Sequence, residues 1–408
     1  MQEVIPFAKP FIAREEEEAV LRVLRSGWIT TGEETLAFER EFAAFLSREP
    51  LHALAVNSAT AGLHLALEAL GVGPGDVVLV PSYTFTASAE VAHYLGAELA
   101  FVDVQKDSFL MDPAKLEETI IRLQKGGNDY PHRGVKYSPR VIIPVHFAGL
   151  VCDMSAISDI AKKYSLSIVE DSAHAFPAWQ DSKGTDVSLC RHGEEKYFAG
   201  TLGDIGVFSF YATKTITTGE GGMVVTRNAE LAKRISIMRL HGIDRPIWNR
   251  YTGEKASWRY EVVAPGYKYN LCDILSAIGR VQLGRAYALR DERYKIASAY
   301  DEAFGTDERF LIPPTGPGDA RQLYPLRLTS KAIPRDDFSR AMQEAGVGVS
   351  VHFIPLHTMP FYKKRYNHQY MDFPETMKSF SAEVSLPLWP GMSGAQIERV
   401  IRTARNVC

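Results

Sequence analysis

The chain has 408 residues, 46% hydrophobic and 23% charged, a mix that supports a large folded core and excludes extended disorder. A formal net charge of -3 gives no basic field for nucleic acid or an anionic membrane surface, so any phosphate has to be held locally. The cysteines, Cys152, Cys190, Cys272 and Cys408, form neither a CxxC pair nor a dense framework, which predicts free thiols in a reducing compartment. The N-terminal stretch lacks a basic segment followed by an apolar one, and no apolar run reaches the ~18 residues of a spanning helix. A cytoplasmic protein that binds neither membrane nor nucleic acid is expected.

Along the chain, hydrophobic periodicity alternates between strand and helix. Apolar runs of strand length fall at 53–56, 77–80, 98–102, 141–144, 167–169 and 207–210, and helical spacing occupies 61–70, 87–94 and 157–164. This order predicts an α/β fold with a mostly parallel central sheet and helices on both faces. Ligands of such sheets bind beyond the carboxyl ends of the strands, so the residues that follow each apolar run are the candidates for chemistry. A long helical stretch over 274–303 closes a large domain, 1–305. A turn-rich segment with Pro313, Pro314, Gly316, Pro317 and Gly318 then opens a smaller α+β domain, 306–408. There, strands near 324–328 and 347–352 and helices near 336–345 and 393–405 are expected. The stretches 125–140 and 180–200 are polar and aperiodic, as surface excursions are.

Three segments carry candidate chemistry. Asn57-Ser58-Ala59-Thr60-Ala61-Gly62 joins a strand to a helix, where open backbone N–H groups and the positive helix end suit a phosphate; taken alone, a simple N-cap by Ser58 or Thr60 is the commoner use of such residues. Ile168-Val169-Glu170-Asp171-Ser172-Ala173-His174 runs an apolar strand into acids. A carboxylate there needs a cation opposite it, either a protonated pyridine nitrogen or a structural arginine. In Ser209-Phe210-Tyr211-Ala212-Thr213-Lys214, followed by Thr218-Gly219-Glu220-Gly221-Gly222, a strand delivers a serine and then a lysine ahead of a glycine loop. Beside a desolvated wall such a lysine loses its proton and becomes a nucleophile; on a hairpin it is a surface residue.

Together these segments resemble the DegT/DnrJ/EryC1/StrS family of sugar aminotransferases, fold-type I pyridoxal phosphate (PLP) enzymes similar to aspartate aminotransferase. The resemblance extends over nearly the whole chain. It includes Ser26-Gly27-Trp28-Ile29-Thr30-Thr31-Gly32, Pro81-Ser82-Tyr83-Thr84-Phe85, Pro144-Val145-His146-Phe147-Ala148-Gly149, Gly266-Tyr267-Lys268-Tyr269-Asn270 and Val351-His352-Phe353. It implies that Lys214 carries the cofactor covalently, Asp171 pairs with the pyridine nitrogen, Phe85 stacks on the ring and His174 lies beside it. Ala59, Thr60 and Ser209 would hold the phosphate from one subunit and Asn270 from its neighbour, which implies a homodimer with shared active sites. Trp28, Thr30, His146 and His352 would lie near the substrate. Glutamate is the implied amino donor and a nucleotide-linked 4-keto-6-deoxyhexose the implied acceptor. No metal is expected.

The chain departs from the family in a longer segment after His174, through Phe176-Pro177-Ala178-Trp179 to Gly200, which leaves acceptor preference open. A sugar dehydratase of the same fold would have His in place of Lys214. A non-catalytic relative would not need Lys214, Asp171, Thr60 and Ser209 together. Arg239, Arg250 and Arg259 are the candidates for holding a donor carboxylate.

Overall fold

The structure is a computed structural model that describes residues 4–126, 137–181, 196–244, 259–316 and 318–408. Its central sheet contains β1 (His52–Val56), β2 (Asp76–Pro81), β3 (Glu98–Val102), β4 (Ser138–Ile142) and β5 (Ser167–Asp171). After a small hairpin of β6 (Trp179–Asp181) and β7 (Lys196–Phe198), β8 (Ile205–Ser209) and β9 (Gly222–Thr226) complete it. The seven strands lie in the order β1-β9-β8-β5-β4-β2-β3. From β8 to β3 every pair is parallel, whereas β9 runs antiparallel to both of its neighbours. The connection 210–221 closes back on the end of β8, where the Phe210 N–H donates to Gly221 O and the Thr218 N–H to Phe210 O, so the chain returns beside β8 without a crossover.

Side chains alternate across a strand, and β2 shows the consequence. Val78 and Val80 enter one apolar core, and Val77 and Leu79 enter another on the opposite face. The first core is covered by α3 (Ala59–Ala69), α4 (Ala87–Tyr94) and α7 (Ala229–Met238). The second is covered by α5 (Pro113–Gln124) and α6 (Met154–Tyr164). Burial on both faces explains why these strands read as unbroken apolar runs. At the β1 and β9 side, α1 (Arg14–Ser26) and α2 (Glu33–Leu46) pack against α8 (Asp273–Gly284).

The helical stretch expected over 274–303 is two helices, α8 and α9 (Ala286–Phe304), separated at Arg285, whose ψ is 4°. A second, antiparallel sheet follows: β10 (Phe310–Leu311), β11 (Tyr324–Leu328) and β12 (Glu383–Leu386). Its core also takes in Ile5, from the other end of the chain. The strand expected at 347–352 does not form. Val347 bridges Ile5 and Ser350 bridges Ser385, so the segment touches two different partners and has no continuous edge on which to build a ladder. The stretch 182–195, including Cys190, and residues 127–136 lie outside the described residues. Cys152, Cys272 and Cys408 are free thiols. Among the described residues no helix is long and apolar enough to cross a membrane.

Candidate active site

A cavity of about 470 Å³ lies at the carboxyl end of the sheet, where the strand order predicts a ligand site. One wall is the first turn of α3. The Ser58 side chain caps that helix by accepting from the Ala61 N–H at 3.1 Å, which leaves the Ala59 and Thr60 N–H groups without intrahelical partners. Both residues line the cavity, as do Ser58 and Ser209. Glycine is required where β9 starts. A Cβ on Gly222 would lie 2.8 Å from Ala59 N, Ser58 C and Phe208 O, so β9 passes flush against the helix end. The result is a cradle of N–H groups and hydroxyls with the positive end of a helix behind it, a ready anion site.

Strand β5 ends in two acids whose side chains leave on opposite faces. Glu170 is fully buried, and its carboxylate accepts from His146 Nε2 at 2.8 Å and from the N–H groups of Gly200, Leu202 and Gly203 at 2.6–2.8 Å. It pins the turn that leads into β8. Asp171 faces the cavity. Its Oδ2 accepts from Ser88 Oγ at 2.7 Å and its Oδ1 from the Ala173 N–H at 3.1 Å. Since Ser88 commits its proton to the carboxylate, Thr84 donates to Ser88 at 2.8 Å. The sheet thus presents a fixed carboxylate opposite the anion cradle.

Lys214 sits on the loop between β8 and β9 and lines the same cavity. Among the described residues its Nζ makes no hydrogen bond or ion pair to protein. Burial pushes its amine down from 10.5 to about 8; the Asp171 charge opposes this and the Arg293 charge adds to it. Arg293, on α9, is 3% exposed, and among the described residues its hydrogen bonds go to carbonyls. Its Nη1 donates to Gln322 O and Leu388 O, and its Nη2 to Thr213 O, at 2.8–3.2 Å. The last of these fixes the peptide immediately before Lys214. Gln322 braces the same peptide, donating to Thr213 O at 2.8 Å while accepting from Thr215 Oγ1 at 2.9 Å.

His174 and His352 also line the cavity. Burial and the nearby Lys214 charge drive both imidazoles toward the neutral form, His352 down to about 4 and His174 well below its ordinary value. Phe85, exposed on the rim, stands 5.7 Å from Phe353, ring centre to ring centre, and Phe353 stacks on His174 at 5.9 Å. His352, Phe353 and Gln322, all late in the chain, thus line the same cavity as Asp171 and Lys214.

Four sequence candidates do not reach this cavity. His146 is completely buried; its Nε2 donates to Glu170 and its Nδ1 accepts from the Cys152 N–H at 3.1 Å, so neither nitrogen is left for a substrate. It supports the strand end. Trp28 donates through Nε1 to Thr31 O at 3.2 Å, and Thr30 O accepts from the Asp273 N–H. Asn270 donates through Nδ2 to Thr31 Oγ1 at 2.6 Å and bridges Val56. These last three gather on an outer face beyond the end of β1. Of the arginines, Arg239 is 9% exposed and pairs with Glu39 while donating to Ala55 O, which removes it as a ligand for a donor carboxylate. Arg259 is exposed and does not line the cavity, and Arg250 lies outside the described residues.

Known proteins resemble the chain over nearly its whole length. The chain matches the DegT/DnrJ/EryC1/StrS aminotransferase family over residues 10–405. It belongs to that family. It is 38% identical to the spore coat polysaccharide biosynthesis protein SpsC of Bacillus subtilis, over 99% of this chain and 97% of that protein. In three dimensions it is similar to the putative sugar aminotransferase Spr1654 of Streptococcus pneumoniae in its PMP-form. There the TM-score is 0.84 at 32% identity, over 99% and 98% of the two chains. It is also similar to PseC of Helicobacter pylori, an aminotransferase of pseudoaminic acid biosynthesis, with a TM-score of 0.83 at 25% identity over 99% of each chain.

This DegT/DnrJ/EryC1/StrS family member is a sugar aminotransferase, and its cofactor is PLP. The residues present fit that cofactor part by part: an amine of depressed pKa for the aldehyde, a carboxylate for the ring nitrogen, and N–H groups with hydroxyls for the phosphate. Sequence reasoning missed Ser88, Gln322 and Arg293. Ser88 sits in a helix whose composition is unremarkable, and the other two lie more than 70 residues after Lys214, so only the folded chain reveals them.

Proposed function

We propose that this aminotransferase takes nitrogen from glutamate and places it on a nucleotide-linked keto-sugar, a 4-keto-6-deoxyhexose aminated at C4, in the making of a polysaccharide. The observation that carries the reading is the convergence of Lys214, Asp171 and the α3 N-terminus on one cavity. When bound, PLP supplies an aldehyde that accepts the amino group and a ring that draws electrons from the reacting carbon. Lys214 Nζ, a desolvated amine that lines the cavity, would be the group that holds the cofactor through its aldehyde. Its amine, brought down to about 8 by burial, would serve as the base that takes the proton from the donor α-carbon and as the acid that returns it, with the roles reversed for the keto-sugar. Asp171, held by Ser88 and Ala173, would face the ring nitrogen and favour its protonated form, while Ala59, Thr60 and Ser209 would hold the phosphate. Phe85 would cover the ring, and His174, a neutral imidazole in the same cavity, would lie beside it.

The chain works as a homodimer in which Asn270, Trp28 and Thr30 serve the neighbouring subunit's cavity. This is supported by their position on an outer face and by exposed Leu21, Leu24 and Ile29 beside them. The names of SpsC and PseC support a role in surface-sugar biosynthesis.

The test follows the visible spectrum of the PLP-loaded protein on adding L-glutamate, then nucleotide-linked 4-keto-6-deoxyhexoses, with Lys214→Ala in parallel. Loss of the lysine-bound cofactor band with glutamate, and its return with one keto-sugar, supports the reading. A wild type that holds PLP but responds to neither compound refutes it.

A further inference from the structure

His352 meets the cavity with its ring held from behind. Its Nδ1 lies 2.8 Å from Ser385 Oγ, and Ser385 Oγ lies 2.5 Å from Glu383 Oε1. The other carboxyl oxygen, Glu383 Oε2, accepts from the His352 backbone N–H at 2.9 Å. Glu383 and Ser385 are both fully buried. They are next-but-one neighbours on β12, so they share a face of the strand. His352 Nε2 makes no hydrogen bond to protein among the described residues, and the ring lines the cavity.

We propose that Glu383, acting through Ser385, sets which ring nitrogen of His352 carries the proton, and so whether His352 offers the cavity a hydrogen-bond donor or an acceptor. The argument is proton counting. A hydroxyl has one proton to give. When Glu383 is a carboxylate, Ser385 gives that proton to Glu383 and must accept from Nδ1–H, which leaves Nε2 as an acceptor. When Glu383 is protonated, it donates to Ser385, Ser385 donates to Nδ1, and Nε2 presents N–H to the cavity. Imidazole stays neutral in both states, so what changes is the direction of its hydrogen bond.

The surroundings make both states accessible. Burial pushes Glu383 up from 4.5 to about 8, against the lowering effect of Ser385, the His352 N–H and the charge of Arg335. The buried Tyr83 hydroxyl also faces Glu383. Arg327 pairs with Glu383 across the β11–β12 ladder, but its guanidinium turns to Asp107. Facing His352 are Lys214, whose charge adds to burial in holding the imidazole neutral, and His174. Sugar hydroxyls and keto oxygens differ in whether they give or accept a proton, so the tautomer of His352 is a selective element of the site. Glu383 and Ser385 are positioning residues that act only through His352.

The test reads the ring directly and needs no substrate, so its failure is separable from failure of the proposed function. Protein loaded with PLP and labelled with 15N-histidine is titrated from about pH 6 to about pH 9.5 by NMR, in which the two tautomers have distinct nitrogen shifts. The His352 signal should pass from Nε2-protonated to Nδ1-protonated as pH rises. Glu383→Gln should hold it Nε2-protonated throughout. Its amide oxygen stays on the His352 N–H, which turns its NH2 toward Ser385. Ser385→Ala should remove the pH response while leaving the ring neutral. A wild-type tautomer that does not change with pH and is the same in Glu383→Gln overturns the proposal. The wild-type titration decides even where a variant fails to fold.

Discussion

The chemistry assigned to Lys214 depends on how much of its amine is unprotonated before PLP arrives. An amine at the ordinary lysine value of 10.5 and one at about 8 differ at pH 7 in reactive fraction, roughly 0.03% against roughly 10%, a gain on the order of 300-fold. Trace acylation of the cofactor-free protein at a series of pH values, scored by mass spectrometry of the peptide containing Lys214, yields that titration. Reactivity should level off above about pH 9, roughly one unit past the midpoint, instead of climbing through pH 10. Two substitutions test the cause. Arg293→Met removes a buried positive charge that disfavours the ammonium, so the midpoint should move up. Asp171→Asn removes the negative charge that favours it, so the midpoint should move down. A wild-type curve that rises through pH 10 refutes the desolvation argument, and a midpoint that does not move in Arg293→Met refutes the part assigned to that arginine.

Gly222→Ala drives a Cβ into three backbone atoms at 2.8 Å, so β9 or α3 has to shift. A loss of about 1–3 kcal/mol of stability and release of PLP on dialysis are expected, and unchanged thermal unfolding would count against the cradle. Ser88→Ala deletes the 2.7 Å hydrogen bond to Asp171. Hydrogen bonds to a charged group are worth about 1.5–3 kcal/mol, so PLP affinity measured by absorbance titration should fall at least ~10-fold. Glu383→Gln should alter the pH dependence of folding. With its carboxyl raised from 4.5 to about 8, the folded chain holds a proton that the unfolded chain releases in that window, so wild-type stability falls as pH rises through it. The variant has no such proton to lose, and its melting temperature relative to wild type should increase from about pH 5 to about pH 9; a constant difference would place the titration elsewhere.

The elements that local pattern controls were legible from the chain alone. The apolar runs at 98–102 and 324–328 become strands with those bounds, and the helix over 87–94 is also as expected. Strand length, side-chain period and turn residues are properties of neighbours in sequence, and they survive packing. So did the linear part of the site. Ser58 to Thr60 come just after β1, Asp171 and Ser209 are the last residues of β5 and β8, and Lys214 lies in the loop that follows β8; a strand end has one direction in which to present what it carries.

Tertiary structure decided what required two distant segments or a choice of face. Glu170 and Asp171 are adjacent acids, and only the stacking of the turn 200–203 on one side of β5 makes the first structural and leaves the second in the cavity. His146 has the same local signature as a catalytic histidine, but both ring nitrogens are consumed by Glu170 and Cys152 once the strands align. The segment 347–352 has strand composition, yet it meets Ile5 and Ser385 singly. Arg293, Gln322 and Glu383 reach the cavity region from elements that enter it late in the chain. The sequence by itself determined the α/β order and the placing of Lys214 and of the α3 N-terminus at the carboxyl edge of the sheet, since each is local. Which groups shift the pKa of Lys214 and which hold His352 was decided by the fold, because burial and hydrogen-bond partners exist only between parts of the chain that packing brings together.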